Sequence, residues 1–556
     1  MRSYDYQGIN RYQRFNQFPR SYEITRKDTL CRSMARMKEV HGKRWFRFVP
    51  EGFVLPADTA MFLASFKANL GQAWIVKPSA LSCGRGIFVT NDLDEIRALD
   101  MSETTWAVQQ YVANPLLLHD TKSSGGGTNG TEQSGYKFDL RIYVTVTSFN
   151  PLRIYMHEDG LTRFATAPYS SSPEHYNNRF MHLTNYSVNK HNEAFEFNDN
   201  SDNDDVGTKW SLKALRRKLE AMGVDHHTLW KRIHHVIIMT FLSCEHQVNA
   251  AIDMHVPYKN KNCFQLFGFD ILVDEHLEPV LIEINFSPSL ACGTPLDLKI
   301  KSTVIADTLS IACVQPYDDV KMKGRIKPKK KKGKKKNAKG TKGTKPKSYG
   351  GSPTNYGVDA HTLASLTPEE RRAIAEFEAE NRVSNGYTCI FPSVDGFMYR
   401  QFFDEIRPLN ELMSQYMVSK AAKQKEEEEM YHMEQRAKEG RDEEESDDAS
   451  VSGGSVSSSN GGQRSDRTKY SSRRKKLHSS ERRRKGGGKK KTSSGTGAGH
   501  KKTRSSALTQ AALSHANRVS SRSLGGLEEP VLQKGKRRKK LIRTASGEGE
   551  AFRYLF

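Results

Sequence analysis

FQLFGFDILVDEHLEPVLIEINFSPSL, running from Phe264 to Leu290, decides the fold. Two apolar runs flank a polar turn, Asp274 to Glu278, and spell a β-hairpin. Side chains alternate faces along a strand, so Glu283 and Asn285 project together while Ile282 and Ile284 pack behind them. Asp270 on the partner strand completes the group. Two carboxylates and an amide carbonyl are hard oxygen donors of the kind magnesium takes, with phosphate oxygens filling the octahedron. The hairpin therefore points to an ATP-dependent enzyme. An ordinary hairpin with exposed acids fits the same residues, since D…ExN spacing is short and common.

Working outward, Lys77 ends the apolar strand AWIVKP just before a small-residue turn holding Arg85 between Gly84 and Gly86. An ammonium and exposed backbone N–H groups placed this way can reach phosphate oxygens. GxxxxGK[ST] is absent, and a simple tight turn explains two glycines equally well. In Tyr136 to Tyr143, Lys137, Asp139 and Arg141 alternate with Phe138, Leu140 and Ile142, putting three charged heads on one face. That face is either the wall of a polar site or the wet side of a surface strand. Arg163, on a short strand Leu161 to Ala165, can meet Arg141 in space and form a two-pronged clamp for a carboxylate.

Order is unevenly distributed. Only 36% of the 556 residues are hydrophobic, mean hydropathy is −0.69, and net charge is +23, values low in apolar content for a chain folded throughout. Apolar periodicity divides it into a core over 1–318, a basic linker over 319–360, a small helical module over 361–418, and a charged helix followed by a disordered Ser/Arg/Lys/Gly-rich tail over 419–556. No apolar run is long enough to span a bilayer and no leader precedes the core, so a soluble intracellular protein without membrane contact is expected. Seven cysteines without a CxxC pair argue against structural zinc and a disulfide framework. His226, His227, His234 and His235 share no i, i+4 face and read as a solvated helix. Positive charge peaks in Lys323 to Lys347, which asks for an acidic partner; nuclear import or a nucleic-acid patch also fits charge alone. Nucleic acid is disfavoured because no aromatics interleave with the lysines.

Within the core, helices are expected at Lys27 to Lys38, Ala57 to Ala68, Ser211 to Met222, His227 to Gln247 and Val304 to Cys313. Strands are expected at Phe53 to Pro56, Gly71 to Pro78, Ile87 to Thr90, Ala107 to Val112, Tyr136 to Ser148 and Pro151 to Met156. Met1 to Phe18 yields no element, and His119 to Gly135 reads as a flexible insert. Beyond the core, Thr367 starts a helix, an apolar set around Ile390 and Phe402 can dock on the core, and Lys420 to Glu445 is a charged helix.

Four segments together, WIVKPSALSCGRGI from Trp74, KFDLRIYVTVTSFNPLRIY from Lys137, RFMHLTNYSVNK from Arg179 and FGFDILVDEHLEPVLIEINFSPSL from Phe267, resemble the tubulin tyrosine ligase-like family, particularly its polyglutamylase branch. The resemblance covers about Gln17 to Val314, and Leu366 to Tyr416 looks like the segment that follows the core in that branch. It implies an α+β ATP-grasp core with mixed and antiparallel sheets and flanking helices. It also implies ATP- and Mg²⁺-dependent addition of free glutamate to glutamate side chains in the acidic tails of tubulin, through an acyl phosphate. Carried over by motif, Lys27, Lys77, Arg85, Gly86, Lys137, Asp139, Thr184 and Asn185 would contact the nucleotide, and Gln109, Gln110, Tyr111 and Val112 its adenine side. Arg141, Arg163 and Lys301 would grip the incoming amino acid; Asp270, Glu283 and Asn285 would hold Mg²⁺. Arg141, Arg163 and Glu283 would be catalytic. Family members carry more sequence before the region matched by Phe15 to Lys38, so an abbreviated N-terminal part is expected. A monomer acting on microtubules in the cytoplasm, or in cilia, flagella or basal bodies, is implied. Addition of glycine or tyrosine remains open, as does a non-catalytic microtubule-binding scaffold, which would not need Lys77, Asp270, Glu283 and Asn285 together.

Overall fold

The computed structural model describes residues 6–10, 12–81, 84–118, 135–258, 261–313 and 366–448, with side chains as far as 436. The chain divides into Met1–Arg483 and Arg484–Phe556, and all described residues belong to the first unit. Most of the insert, the basic linker and the tail lie outside the described residues.

The strands are β1 (Phe15–Asn16), β2 (Gly52–Leu55), β3 (Trp74–Pro78), β4 (Phe88–Thr90), β5 (Trp106–Gln110), β6 (Leu117–Leu118), β7 (Tyr136–Phe149), β8 (Leu152–His157), β9 (Leu161–Phe164), β10 (Lys209–Ser211), β11 (Cys263–Val273), β12 (Pro279–Asn285) and β13 (Tyr387–Phe391). A small antiparallel sheet runs β2-β5-β3-β4. A larger sheet runs β1-β11-β7-β8-β13, with β12 on β11, β6 and β9 on β7, and β10 on β9. Its pairs are antiparallel except β1 with β11. With flanking helices this is the mixed α+β architecture expected from the sequence.

Every residue of β11 is buried. A strand covered on both faces reads as one continuous apolar run, as FQLFGFDILV does. On one face, Phe267 and Phe269 pack edge-on or tilted against Phe241 of helix His226–Leu242, with ring centroids 5.1 and 5.5 Å apart. On the other, Leu266 joins Tyr143, Leu161, Leu296, Ile300 and Val304, the last three from helix Pro295–Ile311. Asp270 shares that second face and so is carried into the site. The small sheet has its own aromatic core, in which Trp74 meets Phe62 edge-on at 5.2 Å.

Several elements differ from their sequence reading. Strict alternation along β12 fails at Ile282: a β-bulge lets the pairing step from Asp270↔Glu283 to Ile271↔Leu281. Ile284 packs behind the acids as expected, but Ile282 becomes cavity wall. The expected helix His227 to Gln247 is two helices, His226–Leu242 and Glu245–His255, because Cys244 leaves helical geometry at φ −125°, ψ 0°. Helix Pro295–Ile311 begins well before Val304, at a Thr294 side-chain cap on Asp297 N with proline in the first turn. Phe15–Asn16, which carries no pattern, pairs in parallel with Cys263 and Phe264. The segment after residue 365 is part of the core sheet, since β13 pairs with β8. Buried Glu380 accepts from Thr147 and Tyr155, each at 2.9 Å, and pairs with Arg153 3.1 Å away. The final helix spans Pro408–Asp448, beginning before the charged stretch.

Candidate active site

Cross-strand register builds the site. Along β7, Lys137, Asp139 and Arg141 fall on one face, as period-two geometry requires. Arg141 lies opposite Asp270 of β11, Asp270 opposite Glu283 of β12, Gly268 opposite Asn285, and Asp139 opposite Arg163 of β9. Four neighbouring strands thus bring seven polar side chains onto one wall.

Asp270 is 1% exposed and accepts from Arg141 Nε and Nη2 at 2.5 and 2.9 Å, with Arg163 Nη2 at 2.9 Å. Arg163 also grips Asp139 with both prongs. The two arginines therefore meet over Asp270, in an alternating chain Asp139, Arg163, Asp270, Arg141. Burial alone would raise the Asp270 pKa, but Arg141 and Arg163 outweigh it and hold the carboxyl well below the ordinary range. Asn285 Nδ2 sits 3.3 Å from both Asp270 Oδ2 and Glu283 Oε1. Glu283 is partly exposed, with Lys27 Nζ 3.6 Å away; Lys27 also donates to Leu81 O.

The opposite wall comes from the small sheet. Gln109, Gln110, Tyr111 and Val112, at the end of β5, line the same cleft as Lys77, Lys137, Thr184 and Asn185. Lys77 Nζ donates to Gln109 Oε1 at 2.8 Å, and Lys137 Nζ to Tyr111 OH at 2.8 Å. Both ammoniums are buried, and their close partners are neutral oxygens. Burial pushes Lys77 down to about 8 and Lys137 down to about 7, despite the carboxylates of Glu283 and Asp139 nearby. Buried cations held this way are stabilised by an anionic ligand. Gly84 and Gly86 take φ of +71° and +67°, and a Cβ on Gly84 would stand 3.0 Å from Val188 and 3.1 Å from Asn185, so this part of the turn packs tightly against Asn185, a cleft residue. Arg85 lines an adjoining hollow with Arg179 and Lys190; Ser82 and Cys83 lie outside the described residues.

The donor chemistry fits a magnesium nucleotide. Two carboxylates and an amide supply oxygen donors that phosphates and water would complete, with Glu283 the partly exposed member and Asp270 shared with Arg141 and Arg163, and the lysines face the same cleft.

Lys301 is held 3.0 Å from Asp297 and donates to Ala291 O at 2.6 Å. Sequence reasoning missed its companions. Lys209 of β10 binds the same Asp297 at 2.8 Å and lies 3.8 Å from the centre of the Tyr186 ring. Nothing periodic marks the three-residue strand Lys209–Ser211, although the Thr-Pro-x-Asp helix start around Asp297 was readable. His182, in the same cleft, was missed too.

The family model for the tubulin-tyrosine ligase family matches residues 6–322. The chain belongs to that family. Among members of the tubulin-tyrosine ligase family, it is 35% identical over 420 residues to the tubulin polyglutamylase TTLL5 of Homo sapiens, covering 73% of this chain and 31% of that protein. To the tubulin monoglutamylase TTLL4 of Homo sapiens it is 37% identical over 445 residues, 75% of this chain and 34% of the other. To the tubulin polyglutamylase ttll-4 of Caenorhabditis elegans it is 33% identical over 428 residues, 76% and 66%. The chain spans about a third of the length of the human relatives it matches. Among the described residues no helix is long and apolar enough to cross a membrane.

Proposed function

We propose that this chain is an ATP-dependent ligase that joins free glutamate to glutamate side chains in acidic tubulin tails. The observation that carries the reading is one cleft combining two buried ammoniums with the carboxylates Asp270 and Glu283, beside Asn285 and a neighbouring cationic group. Membership in the family and the names of the glutamylating relatives support the choice of amino acid and of tubulin.

Lys77 and Lys137 would hold the phosphates from below, while the glycine turn covers them and Gln109 to Val112 border the base. Asp270, Glu283 and Asn285 would hold Mg²⁺, which when bound offsets charge on the γ-phosphoryl group. The acceptor carboxylate takes that phosphoryl, and the leaving group is ADP. No nucleophile from the enzyme is needed. Arg141, Arg163, Lys301 and Lys209 would bind the carboxylates of free glutamate and aim its amine at the acyl carbon. Attack forms the isopeptide bond and expels phosphate; the amine loses its proton to solvent or a nearby base.

The basic stretch Lys323 to Lys347 would raise the encounter rate with a negatively charged microtubule lattice. Action on cytoplasmic microtubules follows from this reading, with cilia and basal bodies as particular sites. Product analysis tests the chemistry: ADP and inorganic phosphate, released only when both acceptor and glutamate are present, are expected. AMP and pyrophosphate would overturn it.

A further inference from the structure

The cleft contains a buried histidine to which the reaction above gives no task. His182 Nε2 lies 3.0 Å from the carbonyl oxygen of His175. A carbonyl only accepts, so Nε2 carries the proton. His182 Nδ1 lies 2.8 Å from Tyr111 OH, and in this neutral tautomer Nδ1 is an acceptor. The Tyr111 hydroxyl must therefore donate to it. That leaves the lone pairs of the Tyr111 oxygen for Lys137 Nζ, 2.8 Å away. The His175 carbonyl thus sets the direction of the series back to Lys137, with the Tyr169 hydroxyl as a further neighbour of the Tyr111 oxygen.

The imidazole has little freedom to do anything else. Three tyrosine rings meet it edge-on, Tyr111, Tyr169 and Tyr176, with centroids 5.6, 5.8 and 5.9 Å away. Burial first, then the positive charge of Lys137, pushes His182 down to about 4, so it stays neutral near pH 7. The Lys137 ammonium also sits 4.3 Å from the centre of the Tyr111 ring. A lysine has four rotatable methylenes, and a buried one whose nearby carboxylate, here Asp139, is taken by Arg163 needs something to fix its head.

We infer that His182 is a positioning residue: by holding the Tyr111 hydroxyl proton toward itself, it turns an oxygen lone pair to Lys137 and aims that ammonium at the nucleotide phosphates. This rests on the nucleotide reading of the cleft. If His182 were doubly protonated, both its nitrogens would donate, Tyr111 OH would lose its acceptor, and its proton would point toward the lysine.

The test uses the full chain with Mg²⁺ and two probes, the non-hydrolysable analogue AMP-PNP and adenosine, measured by titration calorimetry. His182→Phe and Tyr111→Phe should each weaken AMP-PNP about tenfold, the size of one hydrogen bond to a charged group, and His182→Phe, which does not border the base, should leave adenosine within about twofold. The double variant should bind no more weakly than the worse single one, since both break one series. His182→Asn, whose amide oxygen can accept where Nδ1 does, should recover most of the loss. Melting curves identify folded variants; if His182→Phe fails to fold, Tyr111→Phe, which removes a single oxygen, carries the test. Unchanged AMP-PNP affinity in a folded variant, parallel loss of adenosine in His182→Phe, or multiplying effects in the double variant would overturn the inference. Failure of the unmodified chain to bind AMP-PNP would remove the nucleotide reading itself, and this role with it.

Discussion

Replacing Asp270 with asparagine keeps the shape of the side chain and removes its charge. Asp270 is 1% exposed and takes three short hydrogen bonds from Arg141 and Arg163. In the variant two buried guanidiniums are left with Asp139 between them. Breaking a buried ion pair from one side costs about 3–5 kcal/mol, which for a core of this size is a melting-temperature fall of roughly 5 °C or more. Glu283→Gln makes the useful contrast. Glu283 is 22% exposed, its cation Lys27 is 3.6 Å away and 15% exposed, and such a pair is worth about 1 kcal/mol at most. Both variants should lose ligase activity, because both remove a proposed magnesium ligand, yet only Asp270→Asn should melt early. Scanning calorimetry of the full chain without nucleotide reads the difference. The extra stabilisation that saturating MgATP gives the unmodified protein should shrink in both. If Asp270→Asn melts with the unmodified chain, the ion-pair chain holds nothing together and the electrostatic reasoning about the site fails.

Nucleotide binding should be pH-dependent in a definite direction. Burial depresses Lys137 and Lys77 to about 7 and about 8, and phosphates would raise both, so binding takes up protons and affinity falls as pH rises above about 7. Calorimetry in two buffers of different ionisation heat measures that uptake; zero uptake at pH 8 contradicts it. Gly84→Ala should weaken MgATP binding, because alanine is strained at φ +71° by roughly 1–2 kcal/mol and its Cβ presses on Asn185; unchanged binding would show that the turn does not cover the phosphates. Glu380→Ala should destabilise the protein by about 3 kcal/mol by leaving the buried Arg153 only the longer pair with Glu376, 3.8 Å away, read as a shift in urea midpoint, and a wild-type midpoint would mean that the pair contributes nothing. Deleting Lys329 to Lys336 should reduce microtubule co-sedimentation at low salt more than at high salt, and equal pelleting at both would end the steering role proposed for the linker.

The site was legible where one strand carries its own pattern. Lys137, Asp139 and Arg141 could be placed on one face from alternation, and Asp270, Glu283 and Asn285 from the hairpin, because both judgements need only local period-two geometry. The bulge at Ile282 was hidden, since alternation assumes no residue is inserted in the register. So were the parallel pairing of Phe15 with Cys263 and the antiparallel pairing of Tyr387 with His157; pairings between residues so far apart leave no mark on either short segment. Lys209 fell into the same gap, because its importance comes from Asp297, on a distant helix. His182 stood in a quoted motif, but its role depends on which nitrogen faces a carbonyl, and only three-dimensional geometry tells that.

The central claim is the chemistry of amino-acid addition, and the most direct measurement is mass spectrometry of tubulin after incubation of the full chain with microtubules, MgATP and isotope-labelled glutamate, glycine or tyrosine in parallel. The expected result is labelled glutamate on tubulin tail glutamates, absent with Glu283→Gln, and no glycine or tyrosine. Addition of glycine or tyrosine instead, or no addition while microtubules are still bound, would contradict the account.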